Sequence, residues 1–414
     1  MFFKKSLVSF IIILLSFSAN AQGDVLTLEE AIQEVIAANP DIQAAQYRTT
    51  AAKARIPQAK ALEDPMVGVM FEDVPFGDNV TQGEEINYRI QQNLPFPGKR
   101  HIRGKAARFD AAAVSEESRG RIRDVLLDLK KTYYEIYRLD RSIGVNRENQ
   151  RLLRQLLGSA ETSYATGQTT ATSPLQAQVE LSKLKNEEIL LDQERITHLS
   201  HLKAILNRPN HEEVRIASQI RWPKLKASLE EVREMALETR PELKSLEAMQ
   251  KRDKAKVTEA KQSLIPDFSL GFEYNQRPNR EDAWTGTAMI NLPIFFWGKN
   301  RGMINEAKAS LKATEAEAQS IKAHTRHEID QAYSAVKAAE KLIASYQRGI
   351  LPQARTNIEA ARVAYASKKV EFLTLIDAAR TYKDLQMSFY ENQARLGISF
   401  AELERLIGTN LEEL

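Results

Sequence analysis

The chain has 414 residues, 43% hydrophobic and 27% charged, a composition that suits folded domains and argues against disorder. With 58 Lys and Arg against 55 Asp and Glu, the net charge of +3 is too even for a nucleic-acid binder. Cysteine is absent, which excludes disulfides, thiolate metal sites, cysteine nucleophiles and anchoring through a lipidated N-terminal cysteine.

Residues 1–21 read as a secretory signal: Lys4 and Lys5 at the start, an apolar core from Leu7 to Phe17, and small residues in Ser18-Ala19-Asn20-Ala21. The mature chain is expected to start at Gln22. No later apolar stretch approaches the ~18 residues a membrane helix needs. A helical ion-driven pump is therefore not expected. ATP-driven chemistry is not expected either, for want of a phosphate-cradling glycine loop.

The chain reads as two copies of one unit. Thr27-Leu28-Glu29-Glu30 matches Ser228-Leu229-Glu230-Glu231, and Asn39-Pro40-Asp41-Ile42 matches Arg240-Pro241-Glu242-Leu243. Phe71-Glu72, Tyr164-Ala165 and Leu206 recur as Phe272-Glu273, Tyr365-Ala366 and Ile407. A turn recurs as well, Leu94-Pro95-Phe96-Pro97-Gly98-Lys99 and Leu292-Pro293-Ile294-Phe295-Phe296-Trp297-Gly298-Lys299. The expected copies are 22–210 and 228–414. They are joined by a linker at 211–227, with Pro209 and Pro223 marking the joint.

Each copy predicts a first helix of about 35 residues (Thr27 to Leu62, Ser228 to Leu264), two strands, a long helix and a return helix. From Gly98 to Gly158 no proline intervenes. About 60 helical residues would reach ~90 Å, far beyond the ~20 Å radius of a compact domain of this size. The narrow stripe Ile122, Val125, Leu129, Ile136 and Ile143 leaves the rest of this rod charged. In the second copy Gly349 and Pro352 are expected to bend or interrupt it. The last helix carries heptads, Leu375, Tyr382, Phe389, Leu396 and Leu403 beside Phe372, Ala379, Gln386, Gln393, Phe400 and Ile407. Its predecessor carries a seam of smaller residues: Ile304, Leu311, Ala318, Thr325, Ala332, Ala339 and Tyr346.

The strands alternate. Val67, Val69 and Phe71, then Ile86, Tyr88 and Ile90, line an apolar face in the first copy. Phe268, Leu270, Phe272 and Tyr274, then Trp284, Ala288 and Ile290, do so in the second. Segments near ten residues with one polar face fit a membrane β-barrel with a polar lumen. The lumen candidates are Asn87, Arg89, Gln91, Glu273, Thr285, Thr287 and Asn291. Four strands cannot close a barrel, so if they face outer-membrane lipid other copies of the chain must close their edges; the alternative is two amphipathic hairpins resting on a soluble core.

This order of elements, with Asn39-Pro40, the Leu94 to Lys99 turn, Leu351-Pro352-Gln353-Ala354-Arg355 and Phe372-Leu373-Thr374-Leu375-Ile376-Asp377-Ala378, resembles the TolC-type outer-membrane efflux family over essentially the whole mature chain. Ala364-Tyr365 and its flanking motifs look most like the heavy-metal efflux branch. The resemblance implies a mainly α fold with a small membrane β-barrel portion: a homotrimer with a 12-stranded barrel, four strands per protomer, and an α-helical tunnel across the periplasm. It further implies a passive channel working with a periplasmic adaptor and an inner-membrane pump of the resistance-nodulation-division type, with no cofactor. The turns furthest from the barrel are expected to meet the adaptor through Tyr164, Gly167 and Gln168, and through Tyr365, Ser367 and Lys368, the last standing where the family pattern has glycine. At the places where relatives carry two acids on the aperture helix stand Thr374 and Asp377. Asp377, joined by Glu371, is the candidate acidic ring.

His198 with His201, and His324 with His327, are spaced i, i+3 on helices and are weak metal candidates, unrelated by the repeat and without an evident fixed carboxylate. No His-Glu-x-x-His run or Gly-x-Ser-x-Gly turn suggests an enzyme. The alternatives are a type I protein-secretion channel and, in a different class, a periplasmic coiled-coil adaptor or scaffold without a barrel.

Overall fold

The computed structural model describes residues 25–74, 76, 77, 79, 85–277, 280–409 and 411. The expected signal at 1–21 lies outside them. In chain order the elements are β1 (Val25–Leu26), α1 (Leu28–Ala38), α2 (Pro40–Lys60), β2 (Met66–Glu72), β3 (Glu85–Leu94), α3 (Lys99–Ala165) and α4 (Thr172–Ile205). The second copy follows with β4 (Arg215–Ile216), α5 (Leu229–Thr239), α6 (Pro241–Gln262), β5 (Asp267–Gln276), β6 (Ala283–Asn291), a π-helical turn Phe296–Asn300, α7 (Arg301–Ser345), a second π-helical turn Tyr346–Ile350, α8 (Leu351–Ala366) and α9 (Phe372–Ile407).

The single first helix expected in each copy is two helices. Proline at the first helical position needs no amide donor, and the residue before it prefers extended backbone. Asn39 therefore ends α1 and caps α2, its Oδ1 accepting from the amides of Asp41 at 2.9 Å and Ile42 at 3.2 Å. Its side-chain amide donates to the Ile205 carbonyl at 2.7 Å, pinning the end of α4. In the second copy Arg240 precedes Pro241 in the same place. Both α1 and α5 open with a capping box, Thr27 with Glu30 and Ser228 with Glu231.

The α3 rod runs 67 residues, roughly 100 Å at 1.5 Å per residue. Its stripe residues Val125, Leu129, Ile136 and Ile143 are buried, as are Leu375, Leu396, Leu403, Phe372, Ala379, Phe400 and Ile407 of the α9 heptads. The sequence at 211–227 is strapped down rather than loose. β4 pairs in parallel with β1, and Trp222 sits between Tyr134 and Tyr137 with ring centroids 5.7 and 5.4 Å away. The Tyr133 hydroxyl ties both strands to α3, accepting from the Ala217 amide of the strap at 3.3 Å and donating to the Leu26 carbonyl of β1 at 2.9 Å. Burial pushes that phenol up to about 12.

The repeat is not held at one spacing. Met66 pairs with Gln91 and Asp267 with Asn291, so the first strand of each hairpin recurs after 201 residues and the second after 200. Buried Val125, Leu129, Thr132, Ile136 and Leu139 of α3 recur at 200 as Thr325, Ile329, Ala332, Val336 and Ala339 of α7. Ala160 and Leu202 recur at 201, as Ala361 and Leu403. One residue is thus gained along the second rod, and the π turn Tyr346–Ile350 lies where it enters. An i→i+5 turn accommodates one extra residue without rotating the helix beyond it. The interruption expected at Gly349 and Pro352 takes this form, with Pro352 in the first turn of α8. The two Leu-Pro steps consequently do not superpose. Gly98 and Lys99 correspond to Gly298 and Lys299, and Leu94 to Ile294.

Candidate functional site

The four long strands form one antiparallel sheet in the order β2-β3-β5-β6. Its register lines Gly68, Arg89, Glu273 and Thr285 across all four strands. Pleating then places every expected lumen residue, Asn87, Arg89, Gln91, Glu273, Thr285, Thr287 and Asn291, on one face. That face is cross-linked: Arg89 Nε donates to Glu273 Oε2 at 2.7 Å, and Asn275 Nδ2 donates to Asn87 Oδ1 at 2.7 Å. The opposite face exposes Val67, Val69, Tyr88, Ile90, Phe268, Leu270, Phe272, Trp284 and Ile290. Among the described residues β2 and β6 each keep one unpaired edge.

Asn275 belongs to the polar face and was not among the lumen candidates, although period-2 counting from Glu273 reaches it. A second feature lies at the end of the repeated Leu94 to Lys99 turn, whose lysine carried no role in the sequence reading. Lys99 is buried where α3 leaves the sheet, and its Nζ donates to the Ile265 carbonyl at 2.7 Å and to Asp267 Oδ1 at 2.8 Å. It locks the first copy's rod onto the second copy's strand.

At the far end the two turns are built alike. Gly167 and Lys368 both have positive φ. The amide of Gln168 donates to the Ser163 carbonyl and that of Lys369 to the Ala364 carbonyl, both at 2.8 Å, closing Schellman motifs. Tyr164 is exposed and Tyr365 half-buried, its ring centroid 5.3 Å from that of Phe372. Gln168, Ser367 and Lys368 lie exposed at the two tips.

Glu371, Thr374 and Asp377 are exposed at the start of α9. Asp377 is not a free acid. Arg380 Nη1 donates to its Oδ1 at 3.1 Å, and the same guanidinium donates to both oxygens of Glu180 on α4, at 3.1 and 2.9 Å. The Arg380 hydrogen bonds hold the Glu180 carboxyl below its ordinary range against the opposing effect of burial. One turn on, Lys383 Nζ reaches Glu187 at 2.8 Å.

Of the histidines, His201 does have a carboxylate, against expectation: its Nε2 lies 3.1 Å from both oxygens of Asp128 on α3. His198 is half-buried one turn earlier, and His324 and His327 are exposed on α7. Among the described residues no group of three or more His, Asp or Glu side chains within the chain is placed to hold a metal ion. Nor is any helix among them long and apolar enough to cross a membrane.

Residues 31–208 and again 232–409 match the family described as Outer membrane efflux protein. The chain belongs to this family. The two matches begin 201 residues apart, in step with the duplication. This outer membrane efflux protein is 21% identical to the cobalt-zinc-cadmium resistance protein CzcC of Cupriavidus metallidurans, over 95% of this chain and 92% of that one. It is 23% identical to the pyoverdine export outer membrane protein OpmQ of Pseudomonas putida over 71% of its own length, a match spanning 61% of OpmQ. Among solved structures it is similar to CusC, with a TM-score of 0.81, 17% identity and 92% of each chain covered. It is also similar to VceC of Vibrio cholerae, with a TM-score of 0.78, 18% identity and 93% and 97% covered. The fold is that of an α-barrel and β-barrel channel, and the family's function is efflux through the outer membrane.

Proposed function

We propose that three copies of the chain close into a trimer, with twelve strands forming the outer-membrane barrel and the helices forming a tunnel that spans the periplasm. The observation that carries this reading is the sheet: four strands, one polar and one apolar face, and an open edge on each side. An open edge cannot lie in hydrocarbon, so sibling sheets must complete it. The repeat units 22–210 and 228–414, joined through 211–227, then contribute one hairpin each.

The channel is passive and completes a tripartite system with a periplasmic adaptor and an inner-membrane pump of the resistance-nodulation-division type. Tyr164, Gly167, Gln168, Tyr365, Ser367 and Lys368 form the adaptor-facing tips. Thr374, Asp377 and Glu371 face the aperture, where Arg380 tempers the charge of Asp377. The likeness to a cobalt-zinc-cadmium resistance protein favours metal cations as cargo, and the likeness to a pyoverdine exporter favours other small solutes. The test is fractionation and gel mobility. A heat-modifiable trimer in the outer-membrane fraction is expected. A monomer soluble without detergent would reject the channel in favour of a scaffold.

A further inference from the structure

The two histidine pairs sit at unrelated points of the repeat, yet the duplication brings them to one place. Inside the chain the first copy meets the second where α3 packs against α6 and α9. In a closed oligomer the second copy must meet the first copy of the partner subunit at an equivalent junction. There α7 takes the place of α3, and α2 and α4 of the partner subunit take the places of α6 and α9. This step rests on the oligomeric reading above.

The spacings of 200 for α3 with α7 and 201 for α4 with α9 translate one junction into the other. The internal junction holds a groove lined by Asp124 and Leu127 of α3 and by Ser399 and Glu402 of α9. Its walls are within bonding reach: Arg405 meets Asp124 at 2.8 Å, and Lys131 meets Glu402 at 2.6 Å. The equivalents of those four lining residues are His324 and His327 of one chain, and His198 and His201 of the partner subunit. A fifth lining residue, Glu328, corresponds to Asp128 of the partner subunit, and within each chain Asp128 already bonds His201.

Two further pairs indicate that the junction is complementary. The Tyr134 ring lies so close to Gly397 that a Cβ there would stand 2.5–2.6 Å from it. The equivalents are exposed Ser334 and Ile196 of the partner subunit, 65% exposed in the single chain. The bulk has moved to the other wall. Likewise the Lys130–Glu404 positions are held by Asp330, which Arg233 of its own chain bonds at 2.8 Å, and by Lys203 of the partner subunit, so the signs are exchanged across the junction.

We propose that this intersubunit groove binds a divalent transition cation through imidazoles from two chains, one site per interface. Imidazole nitrogen suits zinc, cobalt and nickel, and in the register set by Lys130–Glu404 and Lys131–Glu402 the nearly level pair Leu127 and Glu402 makes His327 and His201 of the partner subunit the central ligands, with His324 and His198 of the partner subunit flanking them. Asp128 orients His201 as an outer-shell carboxylate. A bound cation staples neighbouring subunits together.

The experiment uses the full-length oligomer in detergent, stripped with chelator and titrated with Zn²⁺ by calorimetry, its mass checked by light scattering in the same sample. One zinc per subunit is expected. H198Q/H201Q and H324Q/H327Q should each weaken binding at least tenfold; the histidines are exposed or half-buried, so neither change should unfold the chain. An oligomer that binds no zinc, or in which H324Q/H327Q binds like the unaltered chain, overturns the site and leaves the channel reading standing. A chain that stays monomeric overturns the channel reading itself.

Discussion

Gly167 and Lys368 occupy the same left-handed backbone position at the two helical tips, with φ of 68° and 57°. Glycine adopts this conformation freely, whereas a side chain there costs about 1 kcal/mol. Lys368→Gly should therefore slow hydrogen exchange in the α8–α9 turn, and Gly167→Val should speed it in the α3–α4 turn. If Lys368 serves adaptor capture, the glycine variant should combine a firmer tip with weaker adaptor binding. A variant that gains in both would remove the lysine from the contact surface.

Arg380 braces α9 to α4 through Glu180, and the carboxyl's lowered pKa fixes the sign of its pH dependence. A depressed folded-state value contributes stability above the ordinary carboxylate range of about 4.3, and that stability is lost as pH falls through the folded value. Tip protection against exchange should thus hold at neutral pH and fall below about pH 4. Glu180→Gln should flatten that fall. Arg380→Ala should loosen the tip at neutral pH, releasing Glu180 and Asp377 together, and should add little once Glu180 is protonated.

The sequence made the duplication, the rods, the four strands and the polar face legible because each leaves a local period, 3.6, 7 or 2. It did not reveal the break at Asn39, where an apolar stripe continues across a step that only proline and cap chemistry interrupt. The residue gained near Tyr346 left only a partial signal: Gly98-Lys99 recurs at 200 as Gly298-Lys299, but the anchors on either side, Phe71–Phe272 and Tyr164–Tyr365, are spaced by 201 and do not say where the residue enters. Lys99 and Asp267 could not be paired beforehand, since they are distant in sequence and meet only through the sheet register. The histidine pairs looked unrelated for the same reason, because their relation runs through packing between copies.

The π turn Tyr346–Ile350 carries the extra residue of the second rod, so removing one residue there should restore a continuous α-helix with the flanking contacts in place. Deletion of Gly349 should lower the melting temperature of the protein by no more than a few degrees. Deletion of Gly144 from α3, which has no such turn, should rotate every later residue of that rod by about 100°. That variant should fail to yield folded channel. Equal damage from both deletions would remove the π turn as the site of accommodation.

Tyr134 and Gly397 test the exchange of bulk between the two junctions inside one chain. Gly397→Ile drives a side chain into the Tyr134 ring and should cost about 1–3 kcal/mol. Tyr134→Ser empties that space and should cost about 3–5 kcal/mol, with lost stacking on Trp222 included. The double variant recreates the Ser334 and Ile196 combination, so the two losses should offset each other by about 1–3 kcal/mol in a double-mutant cycle read by thermal unfolding. Rescue remains partial because isoleucine cannot replace the ring's contact with Trp222. The absence of cysteine allows a direct companion measurement: Ile196→Cys with Ser334→Cys should cross-link neighbouring subunits under mild oxidation. Cross-linking confined to single chains would show that the second junction does not copy the first, while additive losses in the cycle would show that shape complementarity does not govern this contact.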